Sequence, residues 1–186
     1  CPEQFLRLWG QQLQPVVFQE GVSAQRVACH CVRPMKIERD WIQAHIPHQG
    51  TMCLLDAVER WDPETIVTIA SSHRALNNPL RSSQGLPITA GIEYAAQSMA
   101  VHGALLAGDD AKPAVGFLTH VRNVQWHWRW LDQIATPLQM TATRVSANAN
   151  SLLYDFQIHG QGLLLMSGRV GVLTQAPAPA QTPASL

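Results

Sequence analysis

Charge is low in this 186-residue chain: charged residues make up 14%, and 13 basic side chains balance 13 acidic ones. A net charge of zero leaves no basic field to attract nucleic acid or an anionic membrane surface. Long apolar runs are missing too. No stretch reaches 18 consecutive apolar residues, so no membrane-spanning helix is expected. The start of the sequence has no basic region followed by an apolar core, so no signal peptide is expected and the default compartment is the cytoplasm. Cysteine is sparse, with 4 residues. Cys29-His30-Cys31 has no second pair at ligand spacing, so no metal site is expected and the thiols are read as free. Internal repeats are absent. The eight histidines form no tract.

The apolar share, 46%, is enough for one sizeable core, and the length suits a single domain. Residues 1–34 carry little pattern and read as an N-terminal extension. Residues 35–174 read as the folded domain. Residues 175–186, rich in Pro and Ala, lack a packing face and read as a disordered tail.

Leu86 to Gly108 dominates the domain. Pro87 stands where a helix starts and Gly108 where it stops. Ile88, Ile92, Ala95, Ala96, Met99, Gly103 and Leu106 recur at helical spacing. The stretch is rich in Ala and Gly, so it can lie close to a sheet. One carboxylate, Glu93, stands in its first two turns.

Around this helix the pattern is mostly β. A short helix is expected over Lys36–His45, broken by Ile46-Pro47-His48-Gln49-Gly50. Met52–Trp61 and Thr65–Ser71 read as a hairpin joined at Asp62-Pro63-Glu64. His73–Gly85 is a polar loop that leads into the long helix, a natural place for a binding site. After the helix comes an extended segment, Val115–Trp130. In it Val124, Trp126, Trp128 and Trp130 alternate with polar residues, so one apolar face is expected to pack on the helix or on another subunit. Leu138–Val145, Leu152–Ile158 and Leu163–Leu173 read as three further strands. The class is therefore α+β, one long helix wrapped by an antiparallel sheet, with sheet edges left for another subunit.

These residues resemble the hotdog-fold β-hydroxyacyl-acyl-carrier-protein dehydratases. Pro47-His48 followed by Met52-Cys53-Leu54-Leu55-Asp56 is similar to a Pro-His segment and strand of that family. Pro87, Glu93 and Ala95-Ala96-Gln97 are similar to its central helix, and Gly116-Phe117-Leu118 with Val121-Arg122-Asn123-Val124 to its next strand. Asn78-Pro79-Leu80, Gly85-Leu86-Pro87 and Ala90-Gly91-Ile92-Glu93-Tyr94 resemble the divergent dehydratase-like proteins of aryl polyene clusters. The resemblance covers residues 35–173.

It implies a dimer-forming hotdog fold and dehydration of a 3-hydroxyacyl thioester. The substrate would ride on the phosphopantetheine of acyl carrier protein, with no other cofactor. It also implies a loop His and a helix carboxylate that move protons across a subunit interface, and a helix N-terminal N–H that holds the thioester oxygen. Carried over, Glu93 is the carboxylate, its proton affinity raised if it is buried, and Ile88 supplies the N–H. Ile88, Thr89 and Asn78 are the expected substrate contacts. The family's loop His is replaced by Pro79. His48, from the matching Pro-His segment, is the expected second catalytic residue; its alternative role is to bond a turn. His73 is expected at the rim of the loop, His120 and His127 in structural or solvent-facing places, and His102, nine residues after Glu93, off the helical face of Glu93. The missing His favours a heterodimer with a second hotdog dehydratase over a homodimer. Two alternatives stay open: a hotdog thioesterase that uses Glu93, and a non-catalytic acyl-binding subunit.

Overall fold

The computed structural model describes residues 37–108, 116–148 and 150–174. The expectations for residues 1–34 and 175–186 lie outside the described residues. In chain order the elements are α1 (Arg39–His45), β1 (Ala57–Trp61), β2 (Thr65–Ala70), α2 (Gly91–Ala107), β3 (Gly116–Trp126), β4 (Leu138–Asn148), β5 (Ser151–Gly160) and β6 (Leu163–Thr174). The strands form one antiparallel sheet of 6 in the order β1-β2-β4-β5-β6-β3. α2 lies across β2, β4 and β5. The core between them holds Ile66, Leu86, Leu131, Ile134, Leu138, Met140, Phe156 and Ile158, all buried.

The β1–β2 hairpin forms as expected. Asp62 shapes its turn, since its carboxylate accepts the N–H groups of Glu64 (2.8 Å) and Thr65 (2.9 Å). Its first strand is shorter than expected. Met52–Leu55 leaves the sheet because side chains take over its backbone bonds, while the Asp56 N–H still donates to Ile69 O. Gln97 accepts the Leu54 N–H, and the Arg39 guanidinium donates to the carbonyls of Gly50, Cys53 and Leu55.

The buried face of α2 also differs from the expected stripe. Ile88, Ala95 and Met99 are buried, but Ile92, Ala96 and Gly103 are only half-buried and Leu106 is exposed. The face turned to the sheet is Gly91, Tyr94, Ala95, Ser98 and His102. A Cβ on Gly91 would lie 2.7 Å from Ile158 Cδ1 and 3.2 Å from Met166 Sδ, so any side chain here would push those two ends aside. Thr68 Oγ1 donates to Ser98 Oγ at 2.7 Å, and Ser98 donates to Tyr94 O at 2.9 Å. His102 Nδ1 meets Tyr154 OH at 2.9 Å, and its Nε2 meets Asp62 O at 2.8 Å. Buried polar groups with complete partners replace part of the apolar stripe.

β3 lies at the sheet edge, and its tryptophan alternation does not survive. Asn123 has φ +52°, and the register with β6 slips between Arg122 and Gln125. That slip sets the phase of β3 before Val124, and the strand stops before the pattern is complete. β3 ends at Trp126, which is 57% exposed, and Trp128 and Trp130 follow outside the strand, half-buried. The backbone there pins the start of α2: Ile88 N–H donates to Arg129 O (2.9 Å) and Leu131 N–H to Leu86 O (2.8 Å). Among the described residues no helix is long and apolar enough to cross a membrane.

Candidate active site

Glu93 occupies the first turn of α2, after a 3-10 turn over Ile88–Ala90 that Pro87 opens. Pro47 follows the last turn of α1, and the extended chain beyond it brings His48 alongside. His48 Nε2 lies 3.1 Å from Glu93 Oε1, and the two side chains are 28% and 27% exposed. Gln97, one turn after Glu93 on the same face, donates from Nε2 to the same Oε1 at 3.0 Å.

These contacts reverse the expected direction for Glu93. The hydrogen bond from His48, then that from Gln97 and the charge of His48, hold its carboxyl below the usual range; burial pushes the other way and loses. Glu93 is therefore ionised at neutral pH. His48 Nδ1 is buried without a hydrogen-bond partner among the described residues. Nε2 is therefore the ring nitrogen that donates to the carboxylate. Oε1 receives both donors, which leaves Oε2 without a hydrogen-bond partner among the described residues.

Two expected contacts take other places. The Ile88 N–H is committed to Arg129 O, so it does not face outward. The next N–H, on exposed Thr89, has no acceptor among the described residues. Asn78 is 6% exposed and its amide is used inside the protein. It donates to Ser72 O and to Tyr94 OH, each at 2.9 Å, and accepts the Leu80 N–H at 2.9 Å. Asn78 anchors the loop to α2 through Tyr94.

The other histidines lie elsewhere. His73 is fully buried rather than at the loop rim, with Nε2 3.0 Å from Ile134 O, and burial lowers its proton affinity. His102 is buried in the His102–Tyr154 contact already described. The His120 ring lies over Gly171, and His127 is exposed. Among the described residues no group of three or more His, Cys, Asp or Glu converges as a metal site. Sequence reasoning gave no role to Gln97 or Tyr94, although the four-residue step from Glu93 to Gln97 was a usable signal.

A family model described as ApeP-like, ApeP dehydratase, matches residues 41–183. Comparison with curated proteins returned no match. Among solved structures the chain is similar to the dehydratase heterocomplex ApeI:P from Xenorhabdus doucetiae, at 20% identity and TM-score 0.64. That match covers 73% of this chain and 91% of the other. It is also similar to AziG from S. sahachiroi, at 18% identity and TM-score 0.50, over 66% of this chain and 92% of that one. Zebra fish thioesterase superfamily member 2 matches at 13% identity and TM-score 0.51, over 74% and 95%. At such identities the likeness is one of fold, and the fold is the hotdog.

Proposed function

The chain belongs to the ApeP-like dehydratase family, and from that premise we propose that it is one subunit of a 3-hydroxyacyl-acyl-carrier-protein dehydratase, with Glu93 and His48 at the reacting centre. The reaction breaks an α C–H bond and the β C–O bond, forms the C=C bond and releases water. It needs a proton acceptor at the α carbon, a donor for the departing hydroxyl and a hydrogen bond on the thioester oxygen.

The observation that carries this reading is the contact between His48 Nε2 and Glu93 Oε1 at the start of α2. An ionised Glu93 accepts protons through Oε2, and His48 orients it. The Thr89 N–H, rather than that of Ile88, is free to hold the thioester oxygen. An ionised carboxylate does not arrive carrying the proton that the hydroxyl needs, and Pro79 stands at the loop position where the resembled family has its His. A second, His-bearing hotdog subunit completes the site in this reading. The exposed Phe117, Leu118 and Trp126 on edge strand β3 suit such a partner, and the similar Xenorhabdus doucetiae structure is itself a heterocomplex.

The test is dehydration of a 3-hydroxyacyl carrier-protein substrate by this chain, by a His-bearing hotdog homologue, and by the mixture. The mixture is expected to form enoyl thioester, and Glu93→Gln in this chain should lower its kcat by about 10²–10⁴-fold. Full activity from the isolated chain, unaffected by Glu93→Ala, would overturn the division of roles. One observation favours a second reading, thioester hydrolysis: an ionised carboxylate with a free oxygen can activate water without a partner's acid. Free acid and thiol as products would select it.

A further inference from the structure

Gln97 is fully buried, and its amide makes three hydrogen bonds at once. Its Oε1 accepts the Leu54 N–H at 2.9 Å. Its Nε2 donates to Met52 O at 2.8 Å and to Glu93 Oε1 at 3.0 Å. Both amide hydrogens are thereby used. The flipped amide would set NH₂ against the Leu54 N–H and oxygen against Met52 O, so the contacts define its orientation. Towards Met52 and Leu54 the side chain acts as a neighbouring strand would, bonding an N–H and a C=O two residues apart.

We propose that Gln97 is a positioning residue, a single neutral amide that fixes the carboxylate of Glu93 and, a few residues downstream of His48, the backbone segment on which that imidazole is hung. The inference deepens the dehydratase reading, because it says what keeps the Glu93–His48 contact in register. A Lys or Arg at this place would add a charge to the site; an amide orients Glu93 and leaves the charge balance of the pair alone. By loading Oε1, Gln97 also determines that Oε2 is the atom left for substrate. Among the described residues His48 is the titratable side chain acting on Glu93.

Two variants test this by carboxyl-carbon NMR titration and amide exchange on the full chain. Gln97→Glu keeps an acceptor for Leu54 but places a second carboxyl oxygen against Glu93. Gln97→Met keeps the bulk and removes all three bonds. Glu93 is expected to titrate at higher pH in both, by about one unit or more in Gln97→Glu, a tenfold gain in proton affinity. Protection of the Leu54 N–H should persist in Gln97→Glu and fall in Gln97→Met. In the dehydration assay with the partner subunit, kcat should fall, the acid limb should move to higher pH, and KM should change little. An unmoved Glu93 titration in Gln97→Glu overturns the proposal, and that variant decides alone if Gln97→Met does not fold. A shifted titration with no dehydration in any pairing, wild type included, leaves the positioning role and overturns the dehydratase reading.

Discussion

Removing one oxygen from Tyr94 should unfasten the loop that leads into α2. Tyr94 is fully buried. Its hydroxyl accepts from Asn78 Nδ2 and lies 2.9 Å from Ser72 Oγ. Ser72 Oγ donates to Leu54 O at 2.6 Å, so the phenol hydrogen goes to Ser72. Tyr94→Phe keeps the ring and its packing but deletes both bonds, and it leaves one buried Asn78 hydrogen without an acceptor. At about 0.5–1.5 kcal/mol net for each bond the loss is about 1–3 kcal/mol, and the orphaned donor puts it near about 2 kcal/mol. For a domain of this size that lowers Tm by about 4–8 °C. Thermal and urea unfolding measure it. A double-mutant cycle with Asn78→Ala should show a coupling of about 1 kcal/mol, since the two share a bond. A loss below about 0.5 kcal/mol, or strictly additive effects, would refute the claim that this network ties residues 72–80 to α2.

Two other outcomes follow from buried groups. Burial lowers the proton affinity of His73 and His102, whereas in the unfolded chain both titrate near about 6.5. As pH falls through that value the unfolded chain takes up protons that the folded one refuses. Stability should be full above about pH 7.5 and then drop, by up to about 1.4 kcal/mol per pH unit for each imidazole. Urea midpoints at pH 7.5 and 5.5 read this directly, and equal midpoints would count against it. Gly85 has φ +128°, and a Cβ there would sit 3.0 Å from both carboxylate oxygens of Asp132. Asp132 accepts from Arg81 (2.7 Å) and from the Leu86 N–H (3.2 Å). Gly85→Ala is therefore expected to cost about 1–3 kcal/mol and to loosen the entry to α2. Thermal melting and exchange of the Leu86 N–H would show both effects.

The long helix, the hairpin and the last three strands were legible because each repeats a period that hydropathy reveals. What hydropathy hides is a polar residue satisfied by a partner far along the chain. Ser98 meets Thr68, His102 meets Tyr154, and Gln97 meets Leu54. Each puts a polar side chain on a buried face, and together they shifted the buried side of α2 away from the apolar stripe. The strand-like run Met52–Leu55 leaves the sheet for the same reason, since Gln97 and Arg39 stand where a neighbouring strand would. The tryptophan alternation is cut short because β3 ends at Trp126, which leaves Trp128 and Trp130 outside the sheet. Near the site, the motifs singled out His48 and Glu93 separately. Their contact spans the whole β1–β2 hairpin, and no spacing rule reaches that far. Burial alone pointed to a raised Glu93; only the two donors on Oε1 explain the opposite direction.

The tight seating of α2 on the sheet has an effect beyond stability. Gly91, Ala95 and Ser98 lie close against β2, β4 and β5, so the rod and the sheet are packed directly together. On the other side of the rod Ile92, Ala96, Ala100 and Gly103 are partly open. In the heterodimer proposed above, a partner subunit would close that flank. In such an assembly, the length of an acyl tail would then be gauged at the seam, and changing the neighbour would retune it with this interior untouched.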